Sequence, residues 1–412
     1  MNHWPAHGSS PCRQGPSSWR ALPSGIWVLG LGSLVMDASS EMIYSVLPLF
    51  MVTVLGASMV TVGVIEGVAE ATAAIIKVFS GTLSDYLGKR KVLLVAGYGL
   101  AAIGKPVFPL ATSIGWVFAA RLVDRVGKGI RAAPRDALVA DITPAPMRGA
   151  AYGLRQGLDS AGALIGPLLA VVFMLWLADD IRATMWAAAL PAFVAVALIA
   201  VYVREPERVH APGRLRAPLA LSGAGRLPAG YWLIVMVGAA FALARFSEAF
   251  LVLRAEGVGL ALGYVPVTMV AMNAFYAGAS YPAGIAAGKF RPATILLAGL
   301  ASLVAADLVL ALARSAPAVL AGATLWGLHM AFTQGLLSKL VADAVPVTLR
   351  GTGFGIFNLV SGIAVLLASV IAGALWNTLG PVATFLAGAG FAAIAAVGVV
   401  VLGKTVSRPA GA

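Results

Sequence analysis

Four pairs of ionisable residues stand four positions apart inside otherwise apolar stretches: Asp37/Glu41, Glu66/Glu70, Arg121/Arg125 and Arg155/Asp159. On a helix that spacing puts both members of a pair on one face. Asp124 lies beside the third pair. Such faces can do three kinds of chemistry. Paired carboxylates can hold a cation or exchange protons, and paired guanidiniums can hold an anion. Opposed acidic and basic faces can do both in turn, because burial disfavours an ionised carboxyl while a neighbouring guanidinium favours it. Rearranging such a pair would carry a proton. The alternative is a set of static ion pairs.

Placing an ionisable side chain in a membrane helix costs ~2.5–3.5 kcal/mol on insertion scales, so each is a functional candidate. Lys77, Lys105 and Lys128 add to the first half of the chain, whereas the second half holds only Arg245, Glu248, Asp307 and Lys339. Coupling chemistry therefore belongs to the first half. Lys77 and Arg155 have a second reading, as residues near a helix end that snorkel to the interface. In WGLHMAF (326–332), Trp326 and His329 are candidates for a cavity wall in the second half, with hydrogen-bonded packing as the alternative for the histidine.

The elements that must position these residues follow from composition. Of the 412 residues, 60% are hydrophobic and 11% charged. Soluble domains carry about 25% charge. The apolar residues fall in runs of about twenty, the length that spans a ~30 Å hydrocarbon core, and the short alternating segments of a barrel are missing. The expected fold is an all-α polytopic membrane protein with spans near 26–51, 58–80, 91–112, 115–138, 148–177, 182–203, 229–253, 263–287, 292–313, 316–340, 352–376 and 381–403.

This reading divides the chain into a disordered tail (1–24), a six-helix bundle (25–203), a basic linker (204–228), a second six-helix bundle (229–404) and a short tail (405–412). The basic residues orient it. Eighteen Lys/Arg fall in the tails and in even-to-odd connections, while the opposite side receives only Arg182, Arg254 and Arg314. The excess marks the cytoplasmic side, so both termini are expected there. The same bias accounts for the net charge of +12 without a nucleic-acid partner.

The two bundles are related. VADITPAPMRGAAYG (139–153) and VADAVPVTLRGTGFG (341–355) share seven of fifteen residues at an offset of 202. Duplicated halves with a site between them are the plan of secondary transporters.

After the second span comes GTLSDYLGKRKVLL (81–94), with Gly81, Asp85, Gly88, Lys89 and Arg90. It resembles the helix 2–3 signature of the major facilitator superfamily, G-x-L-x-D-x-x-G-R/K-R/K. The resemblance implies that Asp85 braces a cytoplasmic gate against the start of helix 11, with Lys89, Arg90 and Lys91 at the lipid headgroups. GALIGPLLA (162–170) is similar to the family's antiporter signature through Gly162, Gly166 and Pro167, with Ala170 in place of a glycine. RVGKGIRAA (125–133) resembles the helix 4 signature R-x-x-Q-G-x-x-x-A, with Lys128 where glutamine is usual. In the family that arginine is linked to proton coupling, which here is Arg125. DASSEMIYSVLPLF (37–50) looks like a bacterial branch whose substrates are mostly unassigned.

The resemblance implies alternating access without enzymatic activity or a cofactor. The expected function is a proton-coupled secondary transporter that exports a small organic solute or drug. The alternatives are an importer of an anionic solute or metal chelate such as a siderophore, held by a basic face of Arg121 and Arg125 that Arg155 could extend, and a non-transporting sensor or scaffold. The partners are then the solute, protons and the lipid bilayer of the bacterial inner membrane, with the monomer as the working unit. No phosphate-binding loop is present, so ATP is not the energy source. Four histidines, at 3, 7, 210 and 329, and one cysteine, Cys12, supply no metal spacing.

Overall fold

A computed structural model describes residues 22–87, 89–205, 225–346 and 349–406. These residues form twelve helical units. The first half contains α1 (Ser24–Tyr44, continued by Leu47–Leu49 and a π-helical turn Phe50–Val54), α2 (Met59–Leu87) and α3 (Arg90–Gly104, continued by Val107–Leu110). It goes on to α4 (Ile114–Ile142), α5 (Arg148–Trp176) and α6 (Ile181–Tyr202). The second half contains α7 (Ala229–Ala244, continued by Ala249–Gly257), α8 (Val267–Lys289), α9 (Pro292–Leu312), α10 (Ala316–Ala344), α11 (Arg350–Leu379) and α12 (Pro381–Val406). The last helix runs through Val406, past residue 404 where the tail was expected.

Helices α3, α4 and α5 begin at Arg90, Ile114 and Arg148. Their counterparts α9, α10 and α11 begin at Pro292, Ala316 and Arg350, each displaced by the same 202 residues. The duplication read from one connection therefore governs whole helices.

Among the described residues, nine helices are long and apolar enough to cross a membrane by length and composition; α4, α8 and α10 fall short of that measure. For α4 the cause is its seven charges between Arg121 and Asp136. It is tolerated because its charged face is turned to other helices rather than to lipid.

Breaks in α1 and α3 have a local cause. Pro48 has no N–H to return to the carbonyl of Tyr44, and Pro106 has none for Ala102; the regular helices end at Tyr44 and Gly104. Backbone groups freed at membrane depth are found where helices line a cavity or pack on protein.

The halves approach each other at the end of the bundle opposite the termini. A Cβ on Gly63 would stand 2.1 Å from the Ser369 carbonyl, one on Gly67 would stand 2.9 Å from Leu366, and one on Gly373 would stand 2.4 Å from Met59. One apolar core there joins Phe50, Val62 and Met174 to Phe250, Trp326 and Phe385. Toward the terminal end, by contrast, Gly149, Gly153 and Gly157 of α5 and Gly278 and Gly284 of α8 have no described atom within 4 Å of a Cβ position. The halves therefore meet at the far end and part toward the termini.

Two of the arginines assigned to the far side close helix ends. Arg254 donates to the carbonyls of Leu310, Ala311 and Ala313 at the end of α9. Arg182 donates to the Pro109 carbonyl at the end of α3. Cations at helix C-termini satisfy orphan carbonyls and complement the helix dipole.

Candidate functional site

Between the halves lies a chamber of about 430 Å³, within the ~300–1,000 Å³ range of small-molecule sites. Its charged lining consists of Glu41, Glu66, Glu70, Arg121, Arg125, Lys128, Arg245 and Glu248. Tyr44, Phe246, Met269, Tyr276 and Met330 supply aromatic and apolar walls. A second cavity of about 160 Å³ is bordered by Asp37, Asp124, Arg131 and Asp159. Glu41, Lys128, Ala163 and Tyr276 border both cavities.

Helix α4 is the hub. Its charges reach four neighbouring helices, α1, α2, α3 and α5. Arg121 pairs with Glu66, and Arg125 with Glu70 at 2.8 Å, both on α2. Asp124 takes the ammonium of the fully buried Lys105 on α3 at 2.9 Å and also accepts a hydrogen bond from the Tyr44 hydroxyl of α1. Arg131 reaches back to Asp37 of α1 at 3.2 Å. Arg135 and Asp136 meet Asp159 and Arg155 of α5 at 3.2 and 2.5 Å. Glu41 makes no ion pair among the described residues.

Tyr44 is the group that spacing did not single out. Its ring lies 3.7 Å from the Arg121 guanidinium carbon, 4.7 Å from that of Arg125 and 5.1 Å from Lys105 Nζ. An aromatic face attracts cations through its quadrupole, and here it separates three of them. The available signal was its place seven residues after Asp37, on the face shared by Asp37 and Glu41.

The antiporter-like segment sets the position of α1. A Cβ on Gly162 would come within 2.6 Å of the Leu34 carbonyl and 3.1 Å of Asp37 Cβ; one on Gly166 would come within 2.5 Å of the Ala38 carbonyl and 2.7 Å of Glu41 Cβ. Absent side chains on α5 thus let the two α1 carboxylates lie directly against it. Pro167 stays within α5 and is buried.

Several expectations need correction. Arg155 does not join a basic face in the cavity, because Asp136 and Asp159 hold it on the side of α5 that meets α4. Trp326 and His329 do not border the chamber. Trp326 is fully buried with its ring 5.3 Å from Phe246, and His329 Nδ1 lies 2.9 Å from the Gly299 carbonyl. The turn of α10 that faces the chamber instead presents Met330. Arg90 does not extend to headgroups. It is buried and pairs with Asp141 at 2.9 Å, and Glu205 accepts hydrogen bonds from the Arg90 and Lys91 amides.

Gly81 lies 3.4 Å, at its Cβ position, from Ala133 of α4. The Asp85 side chain and Gly88 lie outside the described residues, and so does the expected contact with the start of α11. Lys89 immediately precedes α3. In the second half Arg245 and Glu248 sit in the break of α7, on the chamber wall.

The model of the Major Facilitator Superfamily matches residues 29–272. An uncharacterized MFS-type transporter of Methanocaldococcus jannaschii is 31% identical over 382 residues, covering 91% of this chain and 94% of its own. The chain belongs to the Major Facilitator Superfamily. It is a multi-pass membrane transporter and not an enzyme. The multidrug resistance protein MdtH of Edwardsiella ictaluri is 28% identical over 171 residues, 41% of each chain. The fold is that of the superfamily. A bacterial homologue of the human lysosomal transporter Spinster, inward-facing and unoccupied, superposes with a TM-score of 0.74 at 16% identity, over 95% of this chain and 98% of its own.

Proposed function

We propose that this superfamily member is a proton-coupled antiporter that exports a small organic solute by alternating access, with Glu41 as the proton carrier. One observation carries the reading. Glu41 borders both cavities and has no ion-pair partner among the described residues, whereas Asp37, Glu66, Glu70, Asp124 and Asp159 are each held by a cation. A carboxyl without a fixed counter-ion can take and lose a proton without breaking the network around it. Its depth is set by Gly166, in the segment that resembles the antiporter signature.

Export is supported by that segment and by the partial likeness to MdtH. The anion-import alternative needed Arg121 and Arg125 free to hold a ligand, and Glu66 and Glu70 neutralise them. The charge bias of the connections supports a cytoplasmic-membrane location with both termini cytoplasmic, so the halves part on the inner side. One chain's helices line the whole chamber, which supports a working monomer.

The test is purified protein in liposomes enclosing a pH-sensitive dye, with drugs, organic anions and metal chelates added in turn. The expected result is a solute-evoked pH change that Glu41→Gln abolishes. A response of unchanged size and pH dependence in Glu41→Gln overturns the assignment. In cells, deleting the gene raises the amount of retained solute if export is correct and lowers it if it is not.

A further inference from the structure

The chamber's charges balance in number, but not all of them are held in ion pairs within the protein. Four carboxyl groups and four cations line it, and the pairs Glu66–Arg121 and Glu70–Arg125 account for half of them. The other four, Glu41 and Glu248 with Lys128 and Arg245, make no ion pair within 4 Å among the described residues. They come from α1, α4 and the break in α7, so both halves contribute one sign each way. Glu41 is faced by Lys128 and Arg125 of α4, by Glu248 of the α7 break and by Asp37 of its own helix.

Alternating access must at some stage close this chamber to bulk water. Unpaired charges enclosed away from water are costly unless a counter-charge accompanies them. A solute with only a carboxylate would answer Lys128 and Arg245 but add a third negative charge opposite Glu41 and Glu248. A solute with only an amine would do the reverse. A neutral solute would answer neither set.

We propose that the chamber binds an amphoteric solute, one that carries an ammonium and a carboxylate on a partly apolar body. The ammonium lies at Glu41 and Glu248, and the carboxylate at Lys128 and Arg245. Arg245 offers a planar fork to a carboxylate, and Lys128 a mobile point charge. Phe246, Met269 and Met330 form the apolar wall for the body, and the two methionines can fit differing shapes. The assignment rests on the transport reading above and extends it. An ammonium at Glu41 requires the ionised carboxylate, so solute and proton exclude each other there, which is the condition for exchange.

The experiment uses the full-length protein purified in detergent and a matched quartet of probes on one body: phenylalanine (zwitterion), its methyl ester (cation), N-acetylphenylalanine (anion) and the N-acetyl methyl ester (neutral). A second quartet built on alanylphenylalanine repeats the comparison with a longer body. Binding is read by calorimetry and by the shift of the thermal unfolding midpoint.

The expected order puts the zwitterion first by about tenfold, roughly 1.4 kcal/mol. Glu248→Gln weakens the zwitterion and the cation but does not weaken the anion, whose like-charge repulsion it relieves, and Arg245→Gln weakens the zwitterion and the anion but does not weaken the cation. The retained arm in each variant also shows that it is folded. The proposal is overturned if the cation, the anion or the neutral compound binds as tightly as the zwitterion in both quartets. It is equally overturned if no member binds at about 10 mM. In liposomes the two readings separate. Protons moved by the cation alone would keep the coupling role of Glu41 and sink the amphoteric site, while tight zwitterion binding without proton movement would do the opposite.

Discussion

The helices α4 and α10 occupy corresponding places in the two halves, 202 residues apart, and carry opposite chemistry. Arg121, Asp124, Arg125, Lys128 and Arg131 of α4 correspond to Ala323, Trp326, Gly327, Met330 and Thr333 of α10. The neighbouring helix repeats the contrast: Lys105 of α3 corresponds to Asp307 of α9, and both are fully buried. In the first half Lys105 and Asp124 form an ion pair at 2.9 Å. In the second half both Asp307 oxygens and Trp326 Nε1 lack a hydrogen-bond partner among the described residues. Tyr44, whose hydroxyl binds Asp124, corresponds to Phe246, whose ring packs on Trp326. One backbone plan thus supports a polar network that holds α1 to α4 and an aromatic cluster that fills the same space. The difference teaches that backbone position sets which groups meet, and residue type sets whether they meet as charges or as apolar bulk.

The largest expected effect tests the polar side of that contrast. Lys105→Met leaves Asp124 buried without its cation, which costs about 3–5 kcal/mol for a broken buried pair. Thermal unfolding in detergent measures it, and the double variant Lys105→Met/Asp124→Leu recovers most of the loss. A single variant as stable as the parent would show that the pair is not structural.

A smaller effect tests the close approach of α1 and α5. The counterparts of Gly162 and Gly166 on α11 are Ala364 and Ala368, so the second half tolerates the methyl group there. Gly166→Ala in the first half drives a Cβ toward the Ala38 carbonyl and Glu41 Cβ. It is expected to cost about 1–3 kcal/mol by overpacking and to slow solute-evoked proton movement. Wild-type flux and stability in Gly166→Ala would remove the link between the α5 segment and the α1 carboxylates.

The smallest effect has the opposite sign. Asp307→Leu removes a buried carboxyl that has no hydrogen-bond partner among the described residues, and releases about 1 kcal/mol, at the low end of the cost of burying such a group. A fall in the unfolding midpoint would mean that Asp307 is engaged in the second half as Lys105 is in the first.

Much of this arrangement is legible in the sequence, for reasons that differ between fold and site. The bilayer imposes a minimum length on each apolar run, so helices such as α5 and α6 begin and end within a residue of where those runs predict. Duplication is legible because VAD and RG recur at one offset. Spacing of four correctly groups Glu66 with Glu70 and Arg121 with Arg125, which do meet as two parallel pairs. It does not reveal that Asp37 pairs with Arg131 rather than with a group on α5, or that Arg155 stays on the α4 side. Those outcomes depend on the rotation and depth of each helix, and one residue of rotation turns a side chain by about 100°. Trp326 and His329 illustrate the same limit, since Met330, one residue beyond His329, is the group that reaches the chamber.

By itself the sequence determined the class of the protein, its twelve helices in two related halves, and the concentration of membrane-buried charge in the first. Composition and periodicity suffice for that, because water and lipid sort whole segments irrespective of their neighbours. Only the tertiary structure decided which charges neutralise one another and which four on the chamber wall make no ion pair among the described residues. The physical reason is that Coulomb interactions at low dielectric depend on ångström separations between different helices, and those separations are set by the glycines and prolines at which the helices touch and break.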